Sequence, residues 1–260
     1  MRVYACQTDI AWEDKALNFD HVRGIVRDLR PEPGSLLVLP EMFATGFSMR
    51  VVQIADGSGE TAKFLGELAE QHRIWTIAGL VVIGPDGSGR NQALIHSPIG
   101  EEVARYTKIH PFTFGEESKH YGRGLRTVQV NAGPVRVSPF ICYDLRFPEV
   151  FRTAVRNGVH LFAVIANWPA AREDHWVTLL RARAIENQAY VVGVNRCGND
   201  PRLSYSGRSL IVDPRGQVLA DAGSKQSVIS AWIDLPALEQ YRQQFPALAD
   251  IQEQYVRAEP

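Results

Sequence analysis

Short apolar runs and longer amphipathic stretches alternate along most of the chain. The runs at 35–40 and 74–83 lack apolar–polar alternation, which is typical of strands buried on both faces. Helices are predicted at 15–30 and 61–72. In the first of these, apolar residues recur at helical spacing: Phe19, Val22, Val26 and Leu29. Strands that alternate with helices favour an α/β fold.

The second half of the chain repeats this rhythm. Its pattern predicts strands at 135–142, 161–167 and 189–195, with helices at 148–157 and 174–187. The second of these helices is followed by a strand and then by a broken segment rich in glycine and polar residues.

Two segments support a duplication. LIHSPIGEEVA (94–104) and LIVDPRGQVLA (210–220) match in register, and each predicts a hairpin that turns at Pro-x-Gly. Such hairpins are common, so chance similarity is the alternative. A true repeat predicts two similar βαβα-hairpin halves, whose sheets pack face to face with helices outside in a four-layer α-β-β-α sandwich. Because no linker is evident, we expect a single domain over 1–260.

Composition limits the possible partners and the compartment. The 260 residues are 45% hydrophobic and carry a formal net charge of −1 without a basic block, which argues against nucleic acid or an anionic membrane surface as partner. No apolar run reaches the length of a membrane span, and the N-terminus leads almost directly into a predicted strand. The spacing of Cys6, Cys142 and Cys197 fits neither a disulfide framework nor a zinc site. We therefore expect a cytoplasmic protein.

Three polar residues at the ends of predicted strands need an explanation: Glu41, Lys108 and Cys142. Each has an ordinary alternative, namely a surface glutamate, a solvated lysine and a buried structural cysteine. The carboxyl end of a central strand is, however, where α/β proteins hold their sites. The loop at 112–124, with aromatic residues at its start and glycines at its end, indicates either a flap over such a site or a plain surface loop.

The chemistry of cysteine links these residues. Backbone N–H groups at the start of a helix favour a thiolate at Cys142. A cysteine that attacks a carbonyl or nitrile carbon needs a base and donors for the developing anion. Glu41 would be the base, while Lys108 and the backbone N–H of Tyr143 would hold the oxyanion. A Cys–His pair remains an alternative, because sequence distance alone does not exclude it.

Together the three segments resemble the nitrilase (carbon–nitrogen hydrolase) superfamily. LPEMF, RYTKIHPF and ICYDLRFPE follow the order of that family's Glu, Lys and Cys motifs, and the similarity extends to RARAIENQAYVVGVN. The resemblance implies the α-β-β-α fold, catalytic roles for Glu41, Lys108 and Cys142, and a reaction without metal or organic cofactor. It also implies a homodimer or higher homo-oligomer, with helix layer against helix layer and with the tail at about 236–260 in the interface.

The resemblance suggests further site residues. A loop glutamate should orient the site, and Glu117 is favoured over Glu116 because it precedes Ser-Lys. The substrate pocket is expected to contain Trp168, Phe43, Tyr121 and Arg172. Candidate partners for a substrate carboxylate are Arg172, Lys119 and His175. Four family positions indicate structural ion pairs: Arg146, Glu149, Arg183 and Glu186.

The two residues after the cysteine indicate a branch of the family. Cys-Tyr-Asp resembles the amidase branches, whereas true nitrilases tend to have Cys-Trp-Glu. The chain is most similar to ω-amidases, which implies hydrolysis of the terminal amide of 2-oxoglutaramate or 2-oxosuccinamate to the 2-oxo acid and ammonia. PEMFATGF departs from the PECFN of eukaryotic members, so part of the pocket wall differs. The alternatives are another amide or N-carbamoyl hydrolase, and a non-catalytic relative that retains the fold.

Overall fold

The apolar runs form the strands of the computed structural model, which describes residues 1–252. Its strands are β1 (Arg2–Gln7), β2 (Leu36–Val38), β3 (Trp75–Ile83), β4 (Gly89–His96), β5 (Glu102–Thr107), β6 (Val130–Ala132), β7 (Val135–Ile141), β8 (Leu161–Ala166), β9 (Tyr190–Asn195), β10 (Cys197–Asn199), β11 (Ser204–Ser206), β12 (Leu210–Val212), β13 (Val218–Asp221) and β14 (Ser227–Trp232). Its α-helices are α1 (Lys15–Leu29), α2 (Val51–Ile54), α3 (Glu60–His72), α4 (Pro148–Arg156), α5 (Glu173–Asn187) and α6 (Leu235–Gln244). None of these helices is long and apolar enough to cross a membrane.

Two six-stranded sheets have the same plan. The first has the order β14-β1-β2-β3-β4-β5, and the second has the order β13-β12-β9-β8-β7-β6. In each, three neighbouring strands run parallel (β1-β2-β3 and β7-β8-β9) and continue into an antiparallel hairpin (β4-β5 and β12-β13). This arrangement confirms the prediction of two similar halves.

The two hairpins agree in their turns as well as in their sequences. The first closes with the N–H of Ser97 donating to the carbonyl of Glu101, and the second with the equivalent bond from Asp213 to Gln217, both at 2.9 Å. The strand pairing shifts register after Ile95 in one hairpin and after Ile211 in the other, which are matching positions. The sequence match at 94–104 and 210–220 therefore corresponds to one shared backbone geometry.

Alternating side chains place the first sheet between two apolar layers. Along β1, Val3 and Ala5 pack into the core shared with the second sheet, whereas Tyr4 and Cys6 face α1 and α3. Beyond the second sheet, α4 and α5 contribute side chains such as Phe151 to the shared core. The layers are thus helix, sheet, sheet and helix, as predicted for a four-layer sandwich. Burial on both faces explains why the strand sequences lack alternation.

The start of the predicted interface tail packs on its own chain. Arg242 in α6 donates from Nη2 to the carbonyl of Val159 at 2.8 Å, and Gln188 donates to the carbonyl of Phe245, also at 2.8 Å. The last part of the tail, 253–260, lies outside the described residues. The role of this tail in a dimer and the single-domain assignment stay predictions.

A glycine in β3 lets the chain pass close above the first sheet. The N–H of Gly79 donates to the carbonyl of Pro40 at 3.1 Å, and its own carbonyl accepts from Phe43 at 3.3 Å. A Cβ at position 79 would lie 2.6 Å from the Cα of Glu41 and would also overlap the backbone nitrogen of Met42. The absence of a side chain at Gly79 therefore determines where Glu41 sits.

Gly79→Ala should lower the free energy of unfolding by about 1–3 kcal/mol, the usual effect of overpacking, and should reduce turnover by displacing Glu41. Gly24→Ala is the matched control, because Gly24 lies within α1 and a Cβ there meets nothing within 4 Å. That change should raise stability by up to about 1 kcal/mol and leave turnover unaltered. Thermal denaturation and ammonia release would measure both. Equal behaviour of the two variants would contradict the close-approach argument.

Candidate active site

Strand ends from both sheets meet at one edge of the sandwich. Glu41 lies just beyond β2 and Lys108 directly follows β5, both in the first sheet. Cys142 directly follows β7 and Asn167 directly follows β8, both in the second sheet. The face-to-face packing of the sheets thus brings together the three residues predicted from the sequence.

A buried lysine lies between two buried carboxylates. The Nζ of Lys108 is 3.0 Å from Oε1 of Glu41 and 2.8 Å from Oε2 of Glu117. Burial by itself would lower the pKa of Lys108, but Glu117 and Glu41 outweigh it and raise that pKa well above its ordinary value. The lysine is therefore held as an ammonium group.

Glu117, and not Glu116, is the loop glutamate that reaches this cluster. Glu117 is fully buried, whereas Glu116 is exposed and pairs with Lys119. Burial raises the pKa of Glu117, against the opposing effect of Lys108, and the nearby Glu41 adds to the rise. The preference for Glu117 over Glu116 thus agrees with the geometry.

Two asparagines that the sequence reasoning did not select position the carboxylates. Asn91 in β4 donates from Nδ2 to Oε1 of Glu41 at 2.7 Å and to Oε1 of Glu117 at 2.9 Å. Asn167 donates its backbone N–H to Oε2 of Glu41 at 2.8 Å and its side-chain Nδ2 to the Glu41 carbonyl at 2.7 Å. A polar residue inside an otherwise buried strand was the available signal for Asn91.

Cys142 occupies a strained turn. Its φ of 48° lies in the left-handed region that side chains disfavour, and it opens the 3₁₀ turn Cys142–Arg146 directly after β7. Its Sγ is 3.9 Å from the carbonyl oxygen of Asn167. The sequence places this residue inside a strand that ends at 142, but the strand ends at Ile141. The turn aims the sulfur at the edge where the charged cluster lies.

The expected thiolate is wrong for the resting site. Burial, reinforced by the Glu41 carboxylate, raises the pKa of the Cys142 thiol well above its usual range, and Lys108 offsets this only in part. The following element is a five-residue 3₁₀ turn and not a regular helix, so few aligned N–H groups favour the anion. The sulfur therefore holds its proton until a base removes it.

A cavity of about 420 Å³ opens over Cys142. Three predicted residues line it, namely Tyr143, Trp168 and Arg172. Trp168 donates from Nε1 to the carbonyl of Arg172 at 2.7 Å, which fixes the two relative to each other. The loop after Lys108 contributes Phe112 and Gly115 to the wall, so it lies over the site as a flap would.

Two residues predicted for the pocket lie elsewhere. Phe43 points into the layer between the first sheet and its helices, with its ring 6.1 Å from that of Phe19. Phe47 lines the cavity in its place, and its ring centroid lies 5.4 Å from the Nζ of Lys108. Tyr121 is buried behind the wall, where its hydroxyl donates to the carbonyl of Ser48 at 2.5 Å. It supports a wall residue and does not line the cavity.

The other two residues predicted to bind a substrate carboxylate do not reach the cavity. Lys119 is exposed beside Glu116, and His175 is exposed with its Nδ1 3.1 Å from Nη2 of Arg146. Arg146 itself lines the cavity, with its guanidinium carbon 4.8 Å from the ring centroid of Trp168. Arg146 has no acidic partner among residues 1–252, so the expectation of an ion pair there is wrong.

Two of the four positions expected to form ion pairs do so, next to the nucleophile turn, which is the 3₁₀ turn Cys142–Arg146. Arg183 pairs with Glu186 at 2.9 Å and donates twice to the carbonyl of Leu145, at 3.1 and 2.8 Å. Glu149 lies exposed in the first turn of α4 and has no ion-pair partner among residues 1–252. Within the same range, no group of three or more His, Cys, Asp or Glu side chains is arranged to hold a metal ion.

Comparison with known proteins identifies the family. The model of the carbon–nitrogen hydrolase family matches residues 2–243, and the chain belongs to that family. It is 37% identical over 256 residues to the omega-amidase YafV of Escherichia coli K12, covering 97% of each chain. It is also 35% identical to the 2-oxoglutaramate amidase of Bacillus subtilis, covering 83% of this chain and 84% of that protein.

A solved structure agrees with this assignment. A CN-hydrolase superfamily protein from Xanthomonas campestris, whose active site carries an arsenic adduct, superimposes with a TM-score of 0.90. It is 32% identical to this chain, and the match covers 97% of both chains. The family identified from the three motifs is therefore confirmed.

Glu117→Gln should reduce turnover by about tenfold or more, because it weakens a charge-assisted bond to Lys108 and alters the shared carboxylate charge. Glu116→Gln is the matched control on the neighbouring residue and should leave turnover unchanged. Steady-state ammonia release by the two variants would test this. A similar loss in both would show that the loop as a whole, and not the buried carboxylate, matters.

Proposed function

We propose that the protein is an amidase that hydrolyses the terminal carboxamide of a small 2-oxo acid, of the 2-oxoglutaramate or 2-oxosuccinamate type. The products are the 2-oxo acid and ammonia. The observation that carries the proposal is the buried Lys108–Glu41 pair whose charges act on Cys142, a residue that lines the cavity. The names of two similar proteins, an omega-amidase and a 2-oxoglutaramate amidase, support the choice of substrate.

The first half-reaction forms a thioester. Glu41 removes the proton from Sγ of Cys142 as the sulfur attacks the amide carbon. The carbonyl oxygen becomes an oxyanion, which the Lys108 ammonium and the backbone N–H of Tyr143 hold. Glu41 then returns the proton to the leaving nitrogen, ammonia departs, and the acyl group remains on the sulfur.

The second half-reaction consumes water. Glu41 takes a proton from a water molecule that attacks the thioester carbon, and the same donors hold the second oxyanion. The carbon–sulfur bond breaks, the thiol regains its proton from Glu41, and the 2-oxo acid leaves. A thiol with a raised pKa suits this cycle, because the proton moves between Glu41 and sulfur, both of which are buried.

A dicarboxylate-like substrate also needs a cation at some distance from the sulfur. Arg172 lines the cavity and has no acidic partner among residues 1–252. Its guanidinium carbon lies 5.6 Å from the ring centroid of Phe112, another residue of the cavity wall. We assign Arg172 to the substrate carboxylate, with Arg146 on the other side of Trp168 as a second cation.

Large apolar side chains are exposed near α5 and α6. We propose a homodimer in which the helix layers containing α5 and α6 meet, since Ile185 and Phe245 are 50% and 60% exposed in that region. We propose a cytoplasmic location, which suits three free cysteines.

Ammonia release should occur with 2-oxoglutaramate and 2-oxosuccinamate and should vanish in Cys142→Ala. An N-carbamoyl amino acid and a simple nitrile, tested beside them, should give little. Turnover of only the carbamoyl compound or the nitrile would move the protein to another branch of the family. No turnover of any of the four by the folded wild type would contradict the amidase proposal.

Arg172→Met should raise the KM for 2-oxoglutaramate by about 10- to 100-fold, the effect of losing one charged hydrogen bond, with a smaller change in kcat. Lys119→Met is the control, because Lys119 is exposed and pairs with Glu116. An uncharged amide of similar length should show the same KM in wild type and in Arg172→Met. A KM that rises equally for both substrates would mean that Arg172 shapes the wall without binding the carboxylate.

A further inference from the structure

A buried aspartate lies two residues beyond Cys142. Asp144 is completely buried in the 3₁₀ turn, and both of its oxygens accept hydrogen bonds. Its Oδ2 accepts from the backbone N–H of Ile141 at 3.0 Å and from the hydroxyl of Tyr106 at 2.7 Å. Its Oδ1 accepts from the backbone N–H of His110 at 2.9 Å and is also 2.9 Å from Nδ1 of that residue.

These partners lie on both sides of the site. Ile141 immediately precedes Cys142 in the chain, whereas Tyr106 and His110 are two residues before and two residues after Lys108. Tyr106 belongs to β5 of the first sheet, and Ile141 to β7 of the second. One carboxylate therefore joins the segment that bears the sulfur to the segment that bears the ammonium group.

We infer that Asp144 is a positioning residue that sets the separation between Sγ of Cys142 and Nζ of Lys108. The inference rests on the proposed amidase function, in which those two atoms act on the same carbonyl group. The Asp144 contacts hold the Tyr106 side chain and the His110 backbone, on either side of Lys108, and the backbone directly before Cys142. Small misplacements of reacting groups slow enzymes strongly. The hydrogen bonds of Asp144 should therefore increase the catalytic rate by keeping the sulfur and the ammonium group at a fixed separation.

The surroundings of Asp144 favour this role. Burial, with Asp144 beside it, raises the pKa of Tyr106 well above its usual range, so its hydroxyl stays a donor. The ring of His110 stacks on that of Phe147 with centroids 3.7 Å apart and planes 11° apart. Phe147 ends the same turn, so His110 contacts the nucleophile turn through its ring as well as through Asp144.

Asp144→Asn is the principal test. Whichever way the amide is placed, its NH₂ group would face a backbone N–H, that of Ile141 or that of His110, so one side of the tie would be lost. We expect kcat to fall by about 10²-fold, with little change in the KM that Arg172 sets. We also expect slower alkylation of Cys142 by iodoacetamide, followed by mass spectrometry. This second readout needs no knowledge of the natural substrate.

Graded variants separate positioning from folding. Tyr106→Phe removes one donor and should reduce kcat by about tenfold. His110→Asn retains a side-chain N–H near the position of Nδ1 and should keep more activity than His110→Leu. The control is Asp56→Asn, because Asp56 accepts from the N–H groups of Thr61 and Ala62 at the start of α3, at 2.8 and 3.1 Å. It should lower the melting temperature and leave kcat and the alkylation rate unchanged.

The opposite results would overturn the inference. If Asp144→Asn lost stability as Asp56→Asn does but kept its kcat and alkylation rate, Asp144 would serve the fold alone. If Asp144→Asn failed to fold, Tyr106→Phe would decide through the same two readouts. If the wild type released no ammonia from the 2-oxo amides, the amidase proposal would fail separately, and the alkylation rates would still decide the role of Asp144.

Discussion

The charge of one buried lysine organises the site. An ammonium group as deeply buried as that of Lys108 is unstable without carboxylate partners, so Glu41 and Glu117 must reach it from two different segments. Two carboxylates against one ammonium leave an excess of negative charge, which buried amide donors on Asn91 and Asn167 help to hold. Burial, reinforced by the negative charge of Glu41, raises the pKa of the Cys142 thiol and keeps the proton on the sulfur. The charge of Lys108 thus determines which groups the strand ends, the loop at 112–124 and the Cys142 turn must bring to the site.

Much of the fold could be predicted from the sequence because its central strands are buried on both faces. Such strands lose alternation and become short apolar runs, as at Leu36–Val38 and Leu161–Ala166. The paired Pro-x-Gly segments also carried information, since their glycines at 100 and 216 have φ values of 79° and 81° in equivalent turns. A turn that requires glycine at one position can therefore be predicted from the sequence alone, because the requirement does not depend on residues distant in the chain.

The pocket could not be predicted to the same degree, because it depends on irregular backbone. Met42 has a φ of 45° in the irregular turn after β2, and Phe43 packs on the helix side of the sheet together with Leu37 and Leu39. Phe47, farther along the same turn, faces the cavity instead. The state of the Cys142 thiol was missed for a related reason. Burial and charge from Glu41, distant in the chain, outweigh the local preference of the turn.

The division of the site between the two halves of the repeat has a consequence for folding. Glu41 and Lys108 come from the first half of the chain, whereas Cys142 and Asn167 come from the second. Neither half contains a complete site. A partial opening between the sheets would separate base from nucleophile while each sheet kept its own hydrogen bonds. Catalytic turnover in this protein therefore depends on the packing of one sheet against the other. During unfolding, activity would be lost before secondary structure.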